Sequence, residues 1–180
     1  VKCGAHTFIR VGTSGGIDLS VTGGDLLIAS GAVRGEGTSH EYLPPEYPAV
    51  ANFEVVKALE SAAKALSSDT LGQGYHVGVV HSKDSFYGEV EPENSPMSQD
   101  IIRRWNAYRR CGCLTSEMEC AAIFSVGLAR GVRCGAVLTA LWNVERSKAG
   151  LPDQITYDSS RAIRCAIEAL RALIAQAHSL

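Results

Sequence analysis

The stretch Cys134-Gly135-Ala136-Val137-Leu138-Thr139-Ala140-Leu141-Trp142 decides the fold of this 180-residue chain. Almost every side chain in it is apolar, so the alternation of apolar and polar residues that marks a strand with one wet face is missing. Such a run is typical of a strand that is buried on both faces, as in a mostly parallel sheet. The stretch therefore predicts a central strand in an α/β protein.

Strands and helices are predicted to alternate on either side of this stretch. Further strands are predicted over residues 7–11, 25–30, 76–80 and 113–116. Helices are predicted over residues 52–66, 98–110, 120–130 and 159–177, with Asn52 as an N-cap and Gly131 as a C-terminal stop. This order predicts an α/β sandwich in one domain, residues 1–180. Ligands of such sheets bind beyond the carboxyl ends of strands, which makes the residues after Val11, Val80, Ser116 and Trp142 candidates.

Composition excludes several classes of function. Hydrophobic residues make up 46% of the chain and charged residues 20%, as in an ordinary globular protein. The net charge of −2 gives no support for nucleic-acid binding. No apolar run approaches the roughly 20 residues that span a membrane, and no export signal is visible. We therefore expect a cytoplasmic protein with no nucleic-acid or membrane partner.

Cysteines and histidines do not predict a metal site. The six cysteines form no C-x-x-C pair, and Cys111-Gly112-Cys113 has no second pair to complete a zinc site. The histidines show no metal-binding spacing; they are His6, His40, His76, His81 and His178. Most of the cysteines have apolar neighbours, as small buried thiols do, which agrees with a reducing compartment.

The segment Arg10-Val11-Gly12-Thr13-Ser14-Gly15-Gly16 is the first candidate site. An arginine within an apolar strand is costly unless it is paired or lies at the rim of the sheet. The glycine-rich turn predicted after it would present hydroxyls and backbone N–H groups, which together with a guanidinium suit a phosphate. The segment lacks the Gly-Lys-Ser/Thr of a P-loop, and its spacing alone favours a plain glycine-rich turn.

The segment Glu117-Met118-Glu119 is the second candidate. In an extended segment both carboxylates would point to one side, where they could accept hydrogen bonds from a sugar diol. The methionine thioether could pack against the sugar or the base. Alternatively, the two glutamates are acidic residues at a helix N-terminus, which the helix dipole favours and which the segment alone supports better.

Two weaker signals follow other strand ends. Phe86 and Tyr87 could stack on a planar base, although aromatic residues more often belong to a core. Asn143 follows the apolar strand and is either an amide that faces a ligand or a simple turn former.

Taken together, these motifs and their order resemble the nucleoside phosphorylase family, and most closely its uridine-specific branch. The resemblance rests on R-x-G-T-S-G at 10–15, Ser39-His40, the segment 46–51, Asp84-Ser85-Phe86-Tyr87-Gly88 and Glu117-Met118-Glu119, and it covers nearly the whole chain. It implies a three-layer α/β/α sandwich around a mixed sheet, assembled as a hexamer built from dimers. It also implies reversible phosphorolysis of a nucleoside to free base and ribose 1-phosphate, with inorganic phosphate as co-substrate and no other cofactor.

The resemblance also implies a role for individual residues. Arg10 and Thr13 would contact phosphate. Thr13, Met118 and Glu119 would contact the ribose, and Arg10, Thr13 and Glu119 would be the catalytic set. The base would lie among Ser14, Gly15, Phe86, Glu89, Glu117, Leu141, Trp142, Asn143 and Pro152. Asn143 would favour pyrimidines, because purine-specific members carry at that point an aspartate that protonates the base.

Two departures from the family pattern qualify this prediction. The Gln and Arg that commonly read uracil are missing from Gly88-Glu89-Val90-Glu91-Pro92, so a protonated Glu89, or Arg146 from a later loop, is expected to contact the base instead. The first third of the family, with its G-D-P-x-R phosphate loop and an arginine donated across the dimer, is absent before Val1. We therefore expect a chain that is incomplete at its N-terminus, binds phosphate poorly and leaves one side of its sheet unpaired.

The sequence thus predicts phosphorolysis of uridine or a related pyrimidine nucleoside, with nucleoside and phosphate as ligands. The enzymatic alternatives are a purine nucleoside phosphorylase and a nucleosidase that uses water. The non-enzymatic alternative is a truncated nucleoside-binding fragment without activity.

Overall fold

The computed structural model describes residues 1–177 and shows strands and helices that alternate along the chain. The strands are β1 (Thr7–Gly16), β2 (Leu26–Gly35), β3 (Ala49–Val50), β4 (Tyr75–Lys83), β5 (Thr115–Glu117) and β6 (Arg133–Asn143). The helices are α1 (Thr38–Tyr42), α2 (Phe53–Ala65), α3 (Phe86–Val90), α4 (Ser98–Arg110), α5 (Cys120–Ala129), α6 (Val144–Lys148) and α7 (Ser160–Ala177), with a 3-10 turn at Pro92–Asn94.

The strands form one mixed sheet in the order β3-β2-β4-β5-β1-β6. β1 pairs with β6 and β2 pairs with β4 in parallel, whereas β1 and β5 are antiparallel. β2 also pairs antiparallel with β6, with Leu27 opposite Leu138. This last pairing bends the sheet into a barrel-like closure that the predicted open sandwich did not include.

The central strand β6 is buried on both faces, as predicted. Val137 packs with α2 and α7 in one core, while Ala136 and Leu138 pack with Phe124 of α5 in a second core. Neighbouring residues of β2 divide in the same way between the two cores. Because successive strand residues point to opposite faces, helices cover the sheet on both sides. The predicted α/β fold with a mixed sheet between helical layers is therefore confirmed.

Local signals set the ends of two helices. The Asn52 side chain accepts a hydrogen bond from the Val55 N–H at 3.2 Å and caps α2. Gly131 follows α5 with a φ of 64°, in the left-handed region where glycine is favoured. Both predicted helix boundaries are confirmed.

The glycine-rich segment after Val11 differs from the prediction, because it continues β1 instead of forming a loop. Gly12 lies opposite Leu138 of β6, and Gly15 pairs with Ser116 of β5. Pairing with these neighbours outweighs the low strand propensity of glycine. The segment therefore offers a strand rather than a nest of free amides.

A short helix that was not among the predicted elements follows β4. Residues Phe86–Val90 form α3, because the Ser85 side chain accepts a hydrogen bond from the Gly88 N–H at 3.0 Å and caps its first turn.

Within residues 1–177, no helix is long and apolar enough to cross a membrane. Among the same residues, no group of His, Cys, Asp or Glu side chains is arranged to hold a metal ion. His178, one of the histidines considered above, lies outside the described residues, as does the end of the predicted domain at 178–180.

Candidate active site

Residues that follow all four candidate strand ends line one cavity of about 440 Å³. From β1 and β6 come Arg10, Thr13, Ser14, Gly15, Leu141 and Trp142. From β5 and the turn after it come Ser116, Glu117, Met118 and Glu119, and from the end of β4 and α3 come Lys83, Phe86 and Glu89. β5 brings these groups together, because it pairs with β1 on one side and β4 on the other.

Arg10 joins the two glutamates of the Glu-Met-Glu segment. Its Nε lies 3.2 Å from Glu117 Oε2, and its Nη2 donates to Glu119 Oε2. The guanidinium runs along the strand over Gly12, where an added Cβ would lie only 2.2 Å from Nη1. A side chain at position 12 would therefore displace the Arg10 guanidinium from this path, and Gly12 does not serve a turn here.

Glu117 and Glu119 have different environments. The Glu117 side chain is 0% exposed and that of Glu119 is 55% exposed. Glu117 also accepts from the Ser82 hydroxyl, from the Glu119 N–H at 2.8 Å and from the Cys120 N–H at 3.0 Å. Its carboxylate thus caps α5 while it holds Arg10.

Burial and hydrogen bonding act in opposite directions on Glu117. Burial raises the pKa of this carboxyl, but the donors Ser82, Glu119 N–H and Cys120 N–H outweigh burial and lower the pKa below its ordinary value. Glu117 is therefore a carboxylate whose acceptor capacity is largely used within the protein. Its predicted place beside the base stays a prediction.

An aromatic pair lies in another part of the cavity. The ring centroids of Phe86 and Trp142 are 6.4 Å apart, and the rings meet edge to face. The Ser14 side chain is buried and its hydroxyl lies 3.4 Å from the Thr139 carbonyl oxygen. These surfaces give the cavity an apolar, planar region, at a different place from the charged Arg10 cluster.

A second charged cluster lines the cavity around Glu89. Its Oε2 lies 2.9 Å from Lys83 Nζ and accepts from Ser116 Oγ at 2.6 Å, and its Oε1 lies 3.0 Å from His81 Nδ1. Burial raises the pKa of Glu89, but the contacts with His81, Lys83 and Ser116 outweigh burial and lower this pKa to about 2. The expectation of a protonated Glu89 is therefore wrong for this arrangement, because the Lys83 ammonium and the contacts with His81 and Ser116 favour the carboxylate.

Helix α4 also lines the cavity, through Ile101, Ile102 and Trp105. The buried carboxylate of Glu145 holds α4 against α6: it accepts from Trp105 Nε1 at 3.0 Å and from Arg109, and pairs with Lys148 at 3.1 Å. The spacing of Ile101, Ile102 and Trp105 among charged residues was the signal that one face of this helix lines the cavity.

Comparisons with known proteins agree with this geometry. A family model described as "Phosphorylase superfamily" matches residues 1–175. A uridine phosphorylase of Treponema pallidum is 46% identical over 176 residues, which cover 98% of this chain and 66% of the relative. The chain belongs to the phosphorylase superfamily. The resemblance to nucleoside phosphorylases is thereby confirmed.

Two further members of the superfamily show the spread of relatives. A uridine phosphorylase of Haemophilus influenzae is 34% identical, over 96% of this chain and 68% of the relative. A guanosine phosphorylase of Halorubrum lacusprofundi is 33% identical, with the same two coverages. The chain thus spans about two thirds of the length of these superfamily members.

Three residues that were expected near the base do not line the cavity. Asn143 is fully buried: its Nδ2 donates to the carbonyls of Asp18 at 2.7 Å and Val21 at 2.9 Å, and its Oδ1 caps α6. The carbonyl of Pro152 accepts from Arg146 Nε at 2.9 Å, so the Arg146 side chain is directed from α6 to the backbone of the segment that follows this helix. Asn143 is thus a structural residue, and the preference for pyrimidines cannot be argued from it.

This position of Asn143 gives the first prediction. Asn143→Asp should lower the free energy of unfolding by about 1–3 kcal/mol, because a carboxylate cannot donate to the Asp18 and Val21 carbonyls. Chemical denaturation at neutral pH measures the change. Asn94→Asp, at an exposed turn, is the control and should have little effect. Unchanged stability together with a gain of purine turnover would contradict this role.

Proposed function

We propose that the protein catalyses the reversible phosphorolysis of uridine or a related pyrimidine nucleoside, giving the free base and ribose 1-phosphate. The proposal rests on one observation: Arg10 and the Phe86–Trp142 aromatic pair line the same cavity. Glu117 holds Arg10 there, and Glu119 pairs with it. The uridine phosphorylases among the relatives support the same reaction.

In this proposal phosphate and ribose bind at the charged part of the cavity. Arg10 and Thr13 contact phosphate, since a guanidinium fork matches phosphate oxygens. The exposed carboxylate of Glu119 accepts hydrogen bonds from the ribose diol, with Met118 packed against the sugar and Thr13 beside it. When these ligands bind, phosphate contacts the Arg10 guanidinium and the ribose hydroxyls contact the Glu119 carboxylate. These contacts replace the ion pair that Arg10 and Glu119 form in this structure.

The base binds at the aromatic part of the cavity, stacked on Phe86 and bordered by Ser14, Gly15, Leu141 and Trp142. The C–N bond to the base breaks as positive charge develops on the ribose and negative charge on the base, and a phosphate oxygen forms the new bond to C1′. Phosphate held by Arg10 is both the nucleophile and the stabiliser of the positive charge. The bonding electrons leave with the base.

Other features of the enzyme are part of the same proposal. The chemistry needs no metal ion or organic cofactor, because phosphate itself is the nucleophile. A homo-oligomer, a hexamer built from dimers, follows from the family resemblance, and a cytoplasmic location follows from the cysteines, four of which are buried free thiols.

A guanosine-type purine nucleoside is the second candidate substrate. The guanosine phosphorylase from Halorubrum lacusprofundi supports it, since it is almost as similar to this chain as the Haemophilus enzyme. The burial of Asn143 removes the argument that had counted against purines.

The test is to incubate the protein with uridine, thymidine, inosine, guanosine and adenosine, each with and without phosphate, and to separate the bases by chromatography. We expect release of uracil that requires phosphate. Phosphate-dependent release of guanine alone would favour the second candidate, and release that does not need phosphate would show a nucleosidase. Binding without turnover would show a fragment without activity.

A further inference from the structure

Glu89 and Lys83 form an ion pair that the proposed reaction does not yet use. Lys83 is the last residue of β4, and its side chain is 11% exposed; that of Glu89, in α3, is 12% exposed. Both residues line the cavity that contains Phe86. Removing charged groups from water costs free energy, so stability alone does not explain a largely buried ion pair at the wall of a ligand cavity.

The position of the pair relative to Phe86 indicates a role in reading the base. Lys83 Nζ lies 5.9 Å from the centroid of the Phe86 ring, and Phe86 is followed three residues later by Glu89 on the same short helix. A base stacked on Phe86 therefore has its polar edge near both the ammonium and the carboxylate. The ammonium can only donate hydrogen bonds, and the carboxylate can only accept them.

This donor and acceptor pair has a defined complement. It matches a base edge with a carbonyl oxygen next to a ring N–H, since the carbonyl accepts from Lys83 and the N–H donates to Glu89. Uracil, thymine, hypoxanthine and guanine have such an edge. Cytosine and adenine have an amino group next to an unprotonated ring nitrogen. Held in the same orientation, they would place a donor against the ammonium and a lone pair against the carboxylate.

We propose that Lys83 and Glu89 together read the base and restrict the substrate to nucleosides whose base carries a ring N–H beside a carbonyl. This inference rests on the proposed function and adds specific base contacts to it. Two further contacts hold the pair in place: Ser116 Oγ lies 2.5 Å from Lys83 Nζ and 2.6 Å from Glu89 Oε2. His81 contacts the second oxygen of the carboxylate.

The preferred test measures binding by calorimetry, so that it does not depend on turnover. The ligands are uridine, cytidine and 3-methyluridine, which has no ring N–H. We expect the unchanged chain to bind uridine about 10–100-fold more tightly than either of the others, the effect of one hydrogen bond to a charged group. Equal affinity for uridine and 3-methyluridine would overturn the inference without any variant.

Variants assign the effect to the two residues. Glu89→Leu, which removes the acceptor, and Lys83→Met, which removes the donor, should each reduce the preference for uridine over cytidine by about tenfold or more. Glu91→Leu, at an exposed glutamate of the same segment that does not line the cavity, is the control. Circular dichroism checks that each variant is folded, and the comparison with 3-methyluridine decides the matter if one is not.

Turnover separates this inference from the proposed function. Phosphate-dependent uracil release with a preference for uridine that neither variant changes would overturn the role of Lys83 and Glu89 and leave the function standing. The reverse result, selective binding that the variants abolish without any phosphorolysis, would support base reading and overturn the enzymatic function. If the unchanged chain binds no nucleoside, both fail.

Discussion

Replacement of Arg10 by methionine is expected to lower kcat/KM for phosphorolysis of uridine by about 10²–10³-fold, the usual cost of removing one preorganised charge-stabilising group. Methionine keeps much of the apolar stem and removes the guanidinium that joins Glu117 to Glu119. The apparent KM for phosphate should rise as well, because the proposed contact with phosphate is lost. Arg10→Lys should recover only part of the activity, since an ammonium keeps the charge but not the planar fork.

Arg130→Met is the matched control for Arg10. It makes the same chemical change at an exposed position after α5, outside the cavity, and should leave the kinetics unchanged. If Arg10→Met kept the activity and the KM for phosphate of the original chain, Arg10 would not be the phosphate contact.

Replacement of Glu117 by glutamine is expected to cause the largest loss of stability, about 2–4 kcal/mol of unfolding free energy. The substitution replaces one acceptor oxygen by a donor where Arg10, Ser82 and two backbone N–H groups all donate. Activity should fall too, because Arg10 loses its buried anchor. Glu119→Gln changes the exposed glutamate of the same segment, so it should alter stability by less than about 0.5 kcal/mol. Equal stability losses in the two variants would contradict the division of roles.

The pH dependence of stability gives a second readout for Glu117. Its pKa is lower in the folded chain than the ordinary value of 4.5, so it contributes stability above that pH which is lost as the pH falls. Glu89 adds a contribution of the same sign, lost between about 4.5 and about 2. The free energy of unfolding of the unchanged chain should therefore fall more steeply between pH 6 and pH 3 than that of Glu117→Gln. Parallel curves would show that Glu117 is not held as a carboxylate.

Regular elements with strong periodicity could be predicted from the sequence. The apolar run of β6, the Asn52 cap and the Gly131 stop all depend on neighbours along the chain. The strand at Gly12–Gly16 could not be predicted, because it depends on pairing with β6, which is distant in the sequence. The β2–β6 closure depends in the same way on the path of the whole sheet.

The cavity was predictable as a set of strand ends, but the use of each side chain was not. The Glu-Met-Glu segment could be located, and yet only the structure separates a buried glutamate that anchors Arg10 from an exposed one. Asn143 also follows a strand end, but its amide is used by backbone groups that the sequence does not bring near it. Lys83 was not considered, although Ser82 and Lys83 are polar residues directly after the apolar part of β4.

The proposed reaction transfers the ribosyl group from the base to phosphate, and phosphorus NMR of a reaction with uridine and inorganic phosphate detects that transfer. Ribose 1-phosphate should form in a one-to-one ratio with uracil, and both should be consumed when the reaction is run in reverse. Uracil released together with free ribose, and no phosphate ester, would contradict it.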